Sequence, residues 1–270
     1  MLLPLVLGVL AAMTAVMLVA WAFGLVVKNG GWTDVFWTWG TGATLAAAAL
    51  WPAHGHPPGW RQWLVAGMAA AWMLRLGLYL TRRVPRHPED PRYAAFREQF
   101  GRRYPQGMLF VTLPQALATS LLAISVVLAA HGSDRPPAEA LVGSVAGVVV
   151  FLVAIVGEAI ADGQMRRFRA DPANGGQVMD RGLWAWSRHP NYFFQWLGWC
   201  AYPAIAIDPA RPVTWLSLSA PLVMFLLLRF VSGVPPLEAA MLRSRGDRFR
   251  EYQRRVSAFV PLPPNRVRSA

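Results

Sequence analysis

The stretch Asp180-Arg-Gly-Leu-Trp-Ala-Trp-Ser-Arg-His-Pro-Asn-Tyr192 carries polar chemistry at the mouth of an apolar segment. Arg181, Ser187, Arg188, His189, Asn191 and Tyr192 are hydrogen-bond donors suited to phosphate, hydroxyl and amide groups. Polar groups at a bilayer edge are costly unless something meets them. Pro190 suits the first turn of a helix, which would point that helix's positive end at an anion. The pattern predicts one wall of a binding site for an anionic ligand at the cytoplasmic face.

Glu158 and Asp162 are four residues apart and share a helical face, with Arg166, Arg167 and Arg169 next along the chain. They form either a salt-bridged helix end, or a site where Asp162 takes ribose or amide hydrogen bonds and arginine forks hold phosphates. Asn174 sits in the turn-rich loop Arg169-Ala-Asp-Pro-Ala-Asn-Gly-Gly-Gln177, whose backbone N–H groups can wrap a phosphate. In the polar tail, Glu238, Arg243, Tyr252 and Arg254 precede Val256-Ser-Ala-Phe-Val-Pro261, as snorkelling residues or as further ligand contacts. Toward the N-terminus, Asp34 opens one apolar segment, and Arg75 and Tyr79 share a face of another. These three make either a buried Asp34–Arg75 ion pair or a pocket where an acid or phenol protonates a substrate carbonyl.

The elements that must position these residues are apolar. Of 270 residues, 55% are hydrophobic and 15% charged, with mean hydropathy +0.33, whereas soluble domains carry about 25% charged residues. The apolar residues form long runs, which predicts an all-α integral membrane bundle forming a single membrane domain over 1–270. Seven spans are expected near 3–27, 33–51, 62–81, 107–130, 138–163, 190–207 and 212–230. Turn-forming joints separate several of them: Asn29-Gly-Gly31, His54-Gly-His-Pro-Pro-Gly59, His131-Gly-Ser-Asp-Arg-Pro-Pro137 and Asp208-Pro209. The spacing of apolar residues from Leu237 to Val256 predicts an amphipathic helix on the membrane surface. Met1-Leu-Leu-Pro-Leu lacks the basic start of a signal peptide and is expected to begin a retained helix.

Net charge +12 suggests nucleic acid at first, but the arginines lie in loops beside apolar runs, where topology explains them. Lys28 and twenty arginines fall on one side of the expected spans, and Arg61, Arg135 and Arg211 on the other. This places the N-terminus outside and the C-terminus in the cytoplasm of a multi-pass bacterial inner-membrane protein. Cys200 is alone, so no internal disulfide is expected. The five histidines are scattered, and His54 and His56 lack a third partner, so no metal site is expected.

The run Asp162, Arg166, Arg169-Ala-Asp-Pro-Ala-Asn174, Arg181-Gly-Leu-Trp, Ser187-Arg-His-Pro-Asn-Tyr192, then Glu238 and Tyr252 before Phe-Val-Pro, resembles the C-terminal domain of the steroid 5-alpha-reductase family. It is especially similar to that family's bacterial branch of uncharacterised membrane proteins. The resemblance covers about 155–262, and Asn29-Gly-Gly-Trp-Thr-Asp34 and Leu74-Arg-Leu-Gly-Leu-Tyr79 extend it. It implies a seven-helix enzyme holding NADPH in a cytoplasm-facing cavity and reducing an enone lipid, such as a steroid or isoprenoid, admitted from the bilayer. Hydride would go to the β-carbon while a protein acid polarises the carbonyl. By matching position, Asp162, Arg166, Arg169, Asn191, Glu238, Arg243 and Tyr252 would surround the cofactor.

Three departures accompany the resemblance. Asp34 is the nearest candidate to the glutamate of the steroid enzymes but is one carbon shorter and differently placed. Trp72 is the closest counterpart of their tyrosine but cannot protonate a carbonyl, and Phe194-Gln195 stands where related chains often have Gly-Glu. An S-adenosylmethionine-dependent methyltransferase acting on a prenylated or phospholipid substrate is the alternative enzyme. That family pairs glutamates in the tail, whereas Glu238 is followed by Ala239-Ala240. A lipid-binding membrane protein without catalysis is the third possibility.

Overall fold

The computed structural model describes residues 1–52, 56–132 and 137–265, with Pro137 described by its backbone alone. His54, Arg135, Arg266 and Arg268 lie outside the described residues. Among the described residues the fold is all-α, with eleven α-helices joined by short tighter turns. They are α1 (Leu2–Val26), α2 (Trp32–Ala49), α3 (Trp60–Arg83), α4 (Pro91–Phe100), α5 (Tyr104–Thr112) and α6 (Pro114–His131). There follow α7 (Pro137–Ala170), α8 (Pro190–Ala206), α9 (Ser219–Leu226), α10 (Val234–Arg245) and α11 (Asp247–Arg255).

Five helical stretches are long and apolar enough to cross a membrane: Leu2–Val26, Trp60–Arg86, Pro91–His131, Ala138–Ala170 and Pro212–Arg245. The chain is therefore a multi-pass membrane protein by length and composition. α2 and α8 stand where spans were expected without joining that set. α2 is rich in threonine, glycine and tryptophan, and α8 stops at 17 residues. The expected span near 212–230 is a composite of a 3₁₀ segment (Pro212–Leu218), α9 and a π turn (Leu227–Val231). The expected surface helix from Leu237 to Val256 is two helices. Gly246, at φ +54, turns the chain between α10 and α11, a conformation that favours glycine.

The chain groups into two compact units. The first comprises Met1–Gly147 and Tyr202–Val223. Within it α1, α2, α3 and α6 pack together around Met13, Met17, Leu45, Val65, Leu122 and Val126, all fully buried. Apolar contact alone discriminates poorly in lipid, so hydroxyl bonds between helices add specificity. The Thr41 and Thr119 hydroxyls lie 2.9 Å apart, and Trp37 Nε1 donates to Thr119 at 3.0 Å. At the opposite end Gln62 ties the α2–α3 loop, accepting from Gly59 N and donating to the carbonyls of Ala49 and Trp51. Exposed Trp51, Trp60, Trp63 and Trp215 are the kind of residues that gather at a bilayer interface.

The second unit comprises Val148–Ala201 and Met224 onward. Its outer surface on α7 is apolar: Val149, Leu152, Val153, Val156 and Ile160 are each about half exposed, which suits lipid contact rather than water. Its interior holds an aromatic cluster in which Phe225, Phe259 and Trp196 rings are 5.4–6.0 Å apart.

Candidate functional site

In the second unit the loop after α7 folds back onto that helix. Gly182, at φ +60, lets the chain pass so closely that a Cβ there would lie 2.5 Å from the Gln164 amide. Gln164 Oε1 accepts from Leu183 N at 3.0 Å, and Trp184 Nε1 donates to Ala161 O at 3.1 Å. Before that turn, Asn174 Nδ2 donates to Phe168 O at 3.0 Å, which helps to end the helix. Asp171 caps the same bend through Ala173 N.

The segment Trp186–His189 is then clasped by the tail. Arg188 N donates to Ser257 O at 2.8 Å, Ser187 Oγ donates to Phe259 O at 2.8 Å, and Leu262 N donates to Trp186 O at 2.9 Å. The Arg188 guanidinium spans two sets of acceptors. Its Nε and Nη2 hold both oxygens of Glu238 at 2.7 and 3.2 Å, and Nη1 donates to the carbonyls of Gln253 and Val256. Glu238 also receives His189 Nε2 at 3.2 Å and Gln253 Nε2 at 2.7 Å. Tyr252 OH donates to the Trp184 carbonyl, and its ring packs with Phe249 and Val256 against Val178, Met241 and Leu242. Burial pushes the His189 imidazole below its ordinary range, and the facing Glu238 only partly offsets this, so the ring is neutral at pH 7. That ring stacks on Tyr192, with centroids 5.6 Å apart and planes 11° off parallel.

Ser187, Arg188, His189, Tyr192, Glu238 and Tyr252, expected to line a cofactor, thus meet in one place, but their polar atoms largely hold each other. At Arg188, four of the five N–H donors of the fork go to Glu238 and to tail carbonyls. Gln253 completes this knot and Gln164 holds the loop leading into it; neither was singled out from sequence, because an amide carries no signal of its partner. Other residues expected at the site lie along α7, α8, α10 and the loop after α7. Asn191 Nδ2 lies 3.4 Å from Asp162 Oδ1, joining the first turn of α8 to the last turns of α7. Arg166, Arg167, Arg169 and Arg181 are exposed along the same segment, as is Arg243 on α10. Glu158 is buried, 6% exposed, within α7.

In the first unit the partners of Asp34 differ from the expected one. Asp34 does not pair with Arg75: its carboxylate accepts Arg92 Nη2 at 2.7 Å and the Tyr93 hydroxyl at 2.8 Å. The reason is local. Asp90 caps α4 by accepting Arg92 N at 3.0 Å, with Pro91 at the first helical position, and this presents Arg92 and Tyr93 to Asp34. Burial alone would raise the Asp90 carboxyl, but the Arg92 guanidinium and N–H outweigh it and hold it below the usual carboxylate range. Glu89 adds a second tie, accepting Gly30 N at 2.7 Å and the Arg97 guanidinium at 3.0 Å. A cavity of ≈ 30 Å³ lies here, lined in part by Asn29, Asp34, Arg83, His87 and Asp90, large enough for about one water. Tyr79 lies nearby in sequence under the Arg83 guanidinium, 6.0 Å from its ring centre.

Residues 20–256 match a family of proteins of unknown function, DUF1295. The chain belongs to the DUF1295 family. No curated protein and no solved structure matches it significantly. Among the described residues of this DUF1295 member, no group of three or more His, Cys, Asp or Glu side chains is placed to hold a metal ion.

Proposed function

We propose that this DUF1295 protein is a membrane-embedded reductase that uses NADPH to saturate a conjugated C=C bond in a steroid-like or isoprenoid lipid. The observation that carries the proposal is the Asp162–Asn191 contact, flanked along one segment by the exposed guanidinium groups of Arg166, Arg167, Arg169 and Arg181. This donor set suits NADPH. Its cations match a ligand with three phosphates, and a carboxylate beside an amide matches ribose hydroxyls. S-adenosylmethionine, the cofactor of the alternative methyltransferase, carries no phosphate for those arginines.

NADPH, when bound, supplies the hydride. Arg166, Arg169 and Arg181 would hold its phosphates, and Asp162 and Asn191 would orient its sugar. The clasp of Arg188, His189, Glu238 and Tyr252 would keep the start of α8 in place beneath them. The Asp34 carboxylate is taken up by the Arg92 guanidinium and the Tyr93 hydroxyl. The Tyr79 hydroxyl would protonate a carbonyl oxygen. Seven crossings of a bacterial inner membrane, with the N-terminus outside and the arginine-rich segments in the cytoplasm, complete the proposal.

The test is thermal stabilisation of the detergent-purified protein by NADPH, NADH and S-adenosylmethionine. A ligand at a hundred times its Kd stabilises by about 2.7 kcal/mol. NADPH is expected to act selectively, and the Arg166→Ala/Arg169→Ala double variant to lose most of the effect while melting normally. Stabilisation by S-adenosylmethionine alone would overturn the proposal in favour of a methyltransferase.

A further inference from the structure

Arg229 lies in the second unit, on the π turn Leu227–Val231, within the apolar stretch Pro212–Arg245. The turn is closed by Ser232 N donating to Leu227 O, five residues back, at 2.8 Å. Such widened turns are rare within helices and concentrate at functional positions. Arg229 is half-buried, and among the described residues it makes no hydrogen bond or ion pair. Its guanidinium carbon lies 5.0 Å from the centre of the Phe230 ring. A neighbouring aromatic face offsets only part of the cost of a half-buried cation.

The charge balance around it points the same way. Arg229 is close enough to His189 to disfavour protonation of that ring, as Arg188 does. Glu238, the carboxylate of this cluster, is taken up by Arg188, His189 and Gln253. Arg188 has Glu238 as its counter-ion, whereas Arg229 has no ion pair among the described residues.

We infer that Arg229 binds a phosphate group, carried either by a soluble polyphosphate or by a phospholipid headgroup, as its counter-ion. A guanidinium fork suits phosphate through paired hydrogen bonds. This goes beyond the reductase proposal, since it requires only the phosphate and not the molecule that NADPH would be.

The experiment titrates the full-length protein, in an uncharged detergent, with inorganic pyrophosphate in one arm. In the other arm the titrants are phosphatidylglycerol and phosphatidylcholine in mixed micelles. Binding is read as saturable thermal stabilisation. To separate the outcome from the reductase proposal, both arms use the Arg166→Ala/Arg169→Ala background, where binding at Arg229 is expected to persist. Pyrophosphate binding identifies a soluble ligand, and selective binding of phosphatidylglycerol identifies a headgroup. Arg229→Gln should weaken the binding by about ten-fold or more, the worth of a charge-assisted bond. Arg229→Lys, which keeps the charge but not the fork, should weaken it several-fold. If Arg229→Gln does not fold, Arg229→Lys decides alone. The inference is overturned if neither probe binds saturably, or if the variant that folds binds as tightly as the parent.

Discussion

Replacing Arg188 by alanine tests whether the clasp is structural. The guanidinium and Glu238 side chains are 11% and 13% exposed, so the pair is largely out of water. Removing one partner of such a pair costs about 3–5 kcal/mol, because the remaining carboxylate stays desolvated. His189 and Gln253 still donate to Glu238, which moderates the loss, while the carbonyls of Gln253 and Val256 each lose a donor, which adds to it. A loss of 3 kcal/mol changes the docked-to-undocked ratio of the tail by about 150-fold. Two measurements read it. The melting temperature in detergent should fall by on the order of 10 °C. Tryptic cleavage after Arg254 or Arg255, slow while α11 is docked, should accelerate in proportion to the undocked population. Arg188→Lys should fall between, since an ammonium group cannot reach a carboxylate and two carbonyls together. A further Glu238→Ala change in the Arg188→Ala background should cost less than in the parent protein, because it removes the stranded charge. An Arg188→Ala protein with the parent melting point and the parent cleavage rate would refute the reasoning.

The neutral state of His189 makes stability pH-dependent. Its native pKa lies below the unfolded value of about 6.5, so its contribution is present above that pH and drains away as pH falls below it. The melting temperature should drop between about pH 7.5 and about pH 5.5, and His189→Gln should flatten that drop. An unchanged slope in the variant would show that another group governs it. In the first unit, Asp34→Asn should destabilise by about 1–3 kcal/mol, because the Arg92 guanidinium and the Tyr93 hydroxyl both lose a charged acceptor. Tyr93→Phe should cost less, since Arg92 keeps its ion pair. Denaturation of the purified variants checks the order, and an Asp34→Asn protein as stable as the parent would contradict it.

Much of the helical framework was legible in the residues alone. Apolar runs near 3–27, 33–51, 62–81, 138–163 and 190–207 became α1, α2, α3, α7 and α8, with ends displaced by a few residues in most cases and by seven at the C-terminal end of α7. Run length and turn residues are local properties, and each helix answers to its own backbone hydrogen bonds. Where a break depends on a neighbour, the pattern misled. The π turn inside 212–230 and the bend at Gly246 do not show in apolar spacing, and α4 was hidden in an arginine-rich stretch that topology seemed to explain.

The candidate site divides along the same line. That Ser187 to Tyr192, Glu238 and Tyr252 matter together could be seen from their residue types, since polar side chains beside apolar segments must find partners. Which partners they find is a question of position in space, and residue type does not answer it. An arginine fork fits a phosphate, a carboxylate or a pair of carbonyls equally well. Only the tail returning over Trp186–His189 commits Arg188 to Glu238, fifty residues away in sequence. Only the cap at Asp90 brings Arg92, rather than Arg75, to Asp34.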